Sequence, residues 1–237
     1  MKGKLYGVGV GPGDPDLITI KAVNTLKTVD AIVSPESSKD KGSVAYEIAK
    51  KYLKDDVEII YLTFPMSYEE DKLKSIWENN ANIIESEINK GRILAFITLG
   101  DPTIYSTYSY MLEHLKKRGI EIETIPGIPS FCAICSRINM PLALGNETIA
   151  IIPVTNESSN FIFNSTKDFD NIVLMKPSAN STLIVKIIES LDLAEKFVLA
   201  QKIGTKEEKI SNKLEDIKND IPYLSSIIIK KKGFKID

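Results

Sequence analysis

The sequence predicts a two-domain α/β protein, with a mostly parallel sheet in the N-terminal domain and a smaller sheet in the C-terminal one. Short apolar runs alternate with helical apolar spacing through residues 1–140, the pattern of a sheet covered on both faces. Three of those runs end in Gly-Pro or Pro-Gly turns, at Pro12, Pro102 and Pro126. The stretch Met140-Pro141-Leu142-Ala143-Leu144-Gly145-Asn146 then reads as a hinge, which divides the chain into domains of residues 1–140 and 141–237.

The first strand is expected over 5–10, entering a glycine turn. Leu17, Ile18, Ala22, Val23, Leu26 and Val29 recur at helical spacing. A strand over 31–33 should stop at Pro35, followed by a helix over 43–53 and a strand over 57–61. A long helix is expected from Tyr68 to Asn89, burying Leu73, Ile76, Trp77, Ile83, Ile84 and Ile88, with Gly91 as its stop. The run 93–99 has the continuous apolar character of a buried parallel strand. Beyond Gly100-Asp101-Pro102 a helix reaches Arg118 and stops at Gly119, and a strand over 121–125 precedes a helix over 130–138. In the second half, strands are expected over 148–154, 171–175, 197–202 and 225–230, and a helix over 182–191. Lys230-Lys231-Lys232 reads as a solvated strand end.

The chain of 237 residues is 43% hydrophobic and 26% charged, with a formal net charge of −2. That is ordinary globular composition, and it argues against a nucleic-acid coat, which needs a basic excess. No stretch has the length of a signal peptide core or a membrane span. Two cysteines do not make a disulfide framework, and a cytoplasmic protein with reduced thiols is expected.

The first turn, Gly7-Val8-Gly9-Val10-Gly11-Pro12-Gly13-Asp14-Pro15, superficially invites a dinucleotide fingerprint. The spacing fails. A G-x-G-x-x-G from Gly7 requires glycine where Pro12 stands, and one from Gly9 requires it where Asp14 stands. Proline also removes a backbone donor that a pyrophosphate would use. In the second turn, Gly100 allows close approach of a ligand to the backbone. Asp101 is either an acceptor for a ribose or amino group, or a helix cap. The third turn is Pro126-Gly127-Ile128-Pro129-Ser130-Phe131. Each turn ends an expected parallel strand, where open α/β sheets bind ligands, and the three are expected to converge on one crevice.

Cys132 and Cys135 form a C-x-x-C, but with no second cysteine pair the plainer reading is two small buried side chains. The single histidine, His114, sits near a helix end, where a cation complements the dipole. Trp77 and Met175 read first as packing residues. No metal-ligand cluster and no catalytic acid or base stands out.

Taken together, the motifs Gly9-Val10-Gly11-Pro12-Gly13-Asp14-Pro15 with Leu17-Ile18-Thr19, Gly100-Asp101-Pro102 and Pro126-Gly127-Ile128, in that order, resemble the tetrapyrrole (corrin/porphyrin) methylase family. Matches at Met175 and Gly204-Thr205 extend the resemblance over nearly the whole chain. Gly100 to Thr107, Ile125 to Phe131 and Met140-Pro141-Leu142 look most like the branch acting on carbon 20 of precorrin-2 or cobalt-precorrin-2 in cobalamin biosynthesis. The resemblance implies S-adenosyl-L-methionine as methyl donor, held between two α/β domains, the second with a mixed sheet. It also implies a homodimer with a tetrapyrrole substrate and no protein-bound metal, nucleic acid or membrane. Carried over position by position, the cofactor contacts are Pro12, Leu99, Gly100, Asp101, Ile104, Ser130, Phe131, Met175 and Gly204. Pro129-Ser130-Phe131 replaces a Thr-Ala pair common among relatives. Tyr105 and Ser106 are candidate substrate contacts, and Arg137 and Lys176 candidate partners for its carboxylates. The rivals are a relative that methylates another ring carbon, diphthamide or a ribosomal RNA ribose, a non-catalytic nucleotide-binding module, and a thiol redox protein built on the C-x-x-C.

Overall fold

The computed structural model describes residues 3–36, 43–65, 70–219 and 221–234. The chain falls into two compact units, Met1–Pro129 and Ser130–Asp237.

The first unit contains β1 (Lys4–Gly9), α1 (Ile20–Leu26), β2 (Ala31–Glu36), α2 (Val44–Ala49), β3 (Glu58–Thr63), α3 (Glu70–Asn89), β4 (Ile93–Thr98), α4 (Thr107–Lys117) and β5 (Ile122–Ile125). Its sheet has the order β3-β2-β4-β1-β5 and is parallel throughout. Alternate side chains of each central strand go to opposite faces. Leu5, Val33, Leu94 and Phe96 pack with Ile84 and Ile88 of α3 and with Met111 and Leu115 of α4. Val8, Ile32, Ala95 and Ile97 pack with Leu26 of α1 and Ile48 of α2. Both faces are therefore covered, which explains why residues 93–98 are apolar without alternation.

Several local expectations change. Pro35 does not stop β2, which pairs with β3 as far as Glu36, whereas its pairing with β4 ends at Val33. A proline cannot donate to a ladder, and here it stands where β2 has only one neighbour left. On α3, Ile83 is exposed, while Asn80 is buried and donates from Nδ2 to Thr63 O at 3.0 Å. Apolar spacing could not show a polar side chain on the packed face. The expected start of this helix at Tyr68 lies outside the described residues. Gly7, in mid-strand, leaves room for Tyr108: a Cβ there would lie 2.1 Å from the Tyr108 ring. The Tyr108 hydroxyl, 2.7 Å from Thr124 Oγ1, ties α4 to β5.

The second unit contains α5 (Ser130–Arg137), β6 (Ile149–Pro153), α6 (Ser159–Asp168), β7 (Asn171–Met175), α7 (Ser181–Ser190), β8 (Phe197–Gln201), β9 (Lys209–Ser211), α8 (Leu214–Lys218) and β10 (Ser225–Lys230). The sheet order is β6-β7-β10-β8-β9. It is mixed, as expected: β6 and β7 are parallel, and β10 runs antiparallel to β7 and β8. Helix α5 packs on β10, so it groups with this unit, and the division falls at 129/130 rather than at 140/141. Elements α6, β9 and α8 carry little signal in the sequence. The first is rich in Ser and Asn, which are weak helix formers, and the other two are very short.

The stretch read as a hinge is strapped to the sheet. Lys230 is 5% exposed, not solvated. Its Nζ lies 3.0 Å from Glu147 Oε2, 3.2 Å from Asn171 Oδ1 and 3.4 Å from Leu142 O. Lys232 Nζ reaches Glu147 Oε1 at 3.1 Å. Hydrogen bonds from Lys230, Asn171 and Lys232, and from the Leu144 N–H, hold the Glu147 carboxyl at about 2, against an ordinary 4.5. A lowered carboxylate pKa favours the fold fully above about 4.5, and that contribution fades as the pH falls toward 2. Glu147→Gln leaves Lys230 buried without its countercharge. It should lower the thermal midpoint at neutral pH by several degrees, and the gap to wild type should close in acid. Circular dichroism melts at a series of pH values check this; a gap that stays constant down to pH about 2 contradicts it.

Among the described residues no helix is long and apolar enough to cross a membrane.

Candidate functional site

Strands β4, β1 and β5 are adjacent and parallel, so the three proline turns that follow them stand side by side at the carboxyl end of the sheet. The connection leaving β1 crosses to β2 by α1 on one face, and that leaving β4 crosses to β5 by α4 on the other. Adjacent strand ends whose connections diverge in this way are where open α/β sheets form ligand crevices.

Contact between the turns is backbone to backbone. Gly11 and Gly100 form an isolated antiparallel bridge, with Gly100 N donating to Gly11 O at 2.7 Å and Gly11 N to Gly100 O at 3.3 Å. A Cβ on Gly127 would fall 2.0 Å from Gly100 O, and one on Gly9 2.6 Å from Gly127 N. Gly9 and Gly127 are needed here because no side chain fits between the turns. Gly100 itself differs. Its φ is +70°, and a Cβ there would meet nothing nearer than Ile128 O and Pro129 Cα, both at 3.9 Å. At Gly100 there is room for a small group in ordinary contact.

Asp101 fastens the cluster. The residue is 9% exposed. Its Oδ1 accepts from Thr103 N at 2.8 Å and from Thr103 Oγ1 at 2.5 Å, and its Oδ2 accepts from Gly127 N at 2.9 Å. The carboxylate therefore shapes its own turn and draws the third turn onto it. It does not cap α4. Ser106 does, accepting from Ser109 N at 3.3 Å while its hydroxyl donates to Pro102 O.

Of the other expected contacts in this unit, Pro12 is buried, and Leu99 and Ile104 are half-buried beside the turns. The two candidate substrate contacts differ in kind. Ser106 is 7% exposed and engaged as the cap, whereas Tyr105 is 45% exposed with φ +47°. A tyrosine in the left-handed region is strained by about 1–2 kcal/mol, and such strain tends to gather at functional turns.

In the second unit, Ser130 opens α5 and Phe131 is buried behind it. Met175 ends β7, and Gly204, with φ +79°, follows β8. Two residues that belong to no motif in the sequence hold these in place. Ser226 lies 3.2 Å from Ser130 Oγ and 3.7 Å from Met175 Sδ. Glu208 accepts from Gly204 N at 2.7 Å and from Arg137 Nη2 at 3.2 Å. Arg137, expected on a substrate carboxylate, is thus engaged with Glu208. Lys176 has φ +55°, and its Nζ lies 5.9 Å from the centroid of the Tyr223 ring. A pair of serines opening an apolar strand was the one trace of Ser226 in the sequence.

The remaining motifs are structural. Cys135 is buried, but Cys132 is exposed, against the expectation for both. Burial pushes the Cys135 thiol up to about 11, and loss of hydration around its sulfur raises that of Cys132 as well. Thiols held protonated at neutral pH are poor nucleophiles, which weighs against redox chemistry. His114 lies 3.7 Å from Glu78 and edge-on to Trp77, which stacks on Tyr110 with centroids 5.0 Å apart.

The family model described as Tetrapyrrole (Corrin/Porphyrin) Methylases matches residues 4–218. The chain is 39% identical over 230 residues to the probable cobalt-precorrin-2 C(20)-methyltransferase of Methanocaldococcus jannaschii, covering 96% of each chain. It is 32% identical over 235 residues to the cobalt-precorrin-2 C(20)-methyltransferase of Salmonella typhimurium, covering 98% of each. Among solved structures, a uroporphyrin-III C-methyltransferase from Thermus thermophilus complexed with S-adenyl homocysteine shares the fold. Its TM-score is 0.69 over 96% of this chain and 92% of that one, at 19% identity. The order of turns at the carboxyl ends of the strands and the near full-length match agree, and the chain belongs to the tetrapyrrole methylase family.

Proposed function

We propose that this protein transfers a methyl group from S-adenosylmethionine to carbon 20 of cobalt-precorrin-2, in the assembly of the corrin ring of cobalamin. The observation that carries the substrate and the ring carbon is the 39% identity, over nearly all of both chains, to a relative of that name. The room at Gly100 suits the close approach of a ligand and supports the cofactor reading there. Pro12, Leu99, Gly100, Asp101 and Ile104 in the first unit, and Ser130, Phe131, Met175 and Gly204 in the second, are the residues we assign to hold it.

When bound, S-adenosylmethionine supplies a sulfonium methyl already activated for transfer to carbon. The chain then has to align the reacting atoms and exclude water, and such positioning contributes at most about 7–11 kcal/mol to lowering a barrier. The turn cluster is suited to this because it is rigid backbone, cross-linked by the Asp101 carboxylate. Tyr105, exposed beside it, is the candidate substrate contact, and the Ser106 hydroxyl supports it from the helix cap. The resemblance supports a homodimer, and two free thiols suit a reducing cytoplasm.

Incubation with methyl-labelled S-adenosylmethionine and precorrin-2, with and without cobalt, tests the reaction. Label at carbon 20 by NMR, favoured by cobalt, is expected; no transfer to either substrate would sink the assignment. Gly100→Leu should weaken S-adenosylhomocysteine binding by about 10-fold or more, because a large side chain fills the room left at Gly100. Unchanged calorimetric affinity in a folded variant would remove Gly100 from the site.

A further inference from the structure

We propose that Ser226 is a positioning residue for the cofactor, and that the hydrogen-bond chain it anchors makes Ser130 Oγ an acceptor for a donor group of the ligand. This rests on the reading of Ser130 and Met175 as cofactor contacts. Ser226 pairs with Met175 across the β10–β7 ladder, which brings its side chain beside the thioether. It is 3% exposed, out of reach of solvent partners. Its hydroxyl lies 3.7 Å from Met175 Sδ and 3.2 Å from Ser130 Oγ.

The direction of the chain follows from the chemistry of its ends. A thioether can only accept, so Ser226 O–H donates to Met175 Sδ. Its single proton is then committed, and the contact with Ser130 requires Ser130 O–H to donate to Ser226 Oγ. Ser130 Oγ is left with its lone pairs and no proton. It suits an O–H or N–H of the ligand, such as a ribose hydroxyl, the adenine amine or the α-ammonium, and it repels a carboxylate. The same chain restrains Met175, whose unbranched side chain is otherwise free in three torsions.

Calorimetry of S-adenosylhomocysteine binding to the full chain tests this. Absence of binding by wild type overturns the cofactor reading, and the inference with it. Given binding, Ser226→Ala and Ser130→Ala should each weaken it by about 3–10-fold, with thermal midpoints within about 2 °C of wild type. The double variant should be no weaker than Ser130→Ala alone, because the two hydroxyls act in series. Should Ser226→Ala not fold, Ser226→Cys, which keeps the shape and weakens the donor, takes its place. Among analogues that each lack one donor (S-inosylhomocysteine, the 2′-deoxy, 3′-deoxy and deaminated compounds), one should lose affinity for wild type but not for Ser130→Ala. Unchanged affinity in the Ser226 variant, a lowered midpoint with unchanged affinity, additive losses, or no analogue that discriminates would each overturn the assignment, with the cofactor reading left standing.

Discussion

Gly127→Ala should abolish methyl transfer and cofactor binding together, with at least about a 100-fold loss in either. The new Cβ would lie 2.0 Å from Gly100 O and 2.9 Å from Gly9 Cα. Both are backbone atoms, so no rotamer change relieves the clash, and the second and third turns must separate. Overpacking of this kind costs about 1–3 kcal/mol, occasionally more. Here the displacement falls on the backbone at Gly100, the position assigned to approach the ligand. Gly100→Ala is the informative partner. Its Cβ has room, and the cost is the left-handed φ of +70°, about 1–2 kcal/mol. Thermal unfolding and calorimetry with S-adenosylhomocysteine separate the two effects. Equal affinities in Gly127→Ala and wild type would show that the turn packing does not matter to the site.

Asp101→Asn should be nearly as damaging, although it changes one atom. The carboxylate takes three donors, from Thr103 N, Thr103 Oγ1 and Gly127 N. An amide presents one oxygen and one NH₂. If the oxygen stays with Thr103, the NH₂ opposes the Gly127 N–H; if it turns to Gly127, the NH₂ opposes the Thr103 donors. Leaving a part-buried donor unpaired costs up to about 1–3 kcal/mol. The expected result is a lowered thermal midpoint, with a loss of roughly 10–100-fold in S-adenosylhomocysteine affinity. Thr103→Val distinguishes a positioning role from direct contact, since Thr103 meets the carboxylate and is not itself an expected ligand contact. If Asp101 acts through the turns, Thr103→Val should also weaken binding, and its effect should be smaller when combined with Asp101→Asn. Full affinity in Thr103→Val would favour direct contact.

Much of the first unit was legible in the sequence because its strands are buried on both faces. Residues 93–98 are apolar at every position but the last, and Gly91 and Gly119 stop α3 and α4 with φ of +83° and +70°. The second unit was less legible. Helix α6 is polar, with only Ile162, Ser165 and Thr166 buried, so the apolar spacing that marks a helix is almost absent. Lys230 looked solvated because its partners, Glu147 and Asn171, are remote in sequence and meet it only in the folded sheet.

The Gly-Pro turns, the parallel character of the first sheet and the family resemblance were all determined by the sequence itself, because turn chemistry and apolar burial are local properties of residue type. That the turns meet was decided by strand order. Placing β1 between β4 and β5 puts Gly9, Gly100 and Gly127 in backbone contact, and that order depends on pairings between distant segments. The same distant pairings make Asp101 a clasp between two turns as well as a candidate ligand contact. They also bring Ser226, unremarkable in the sequence, between Ser130 and Met175. Hydrogen bonds of this kind leave no local pattern, since each partner satisfies its geometry only once the sheets have formed.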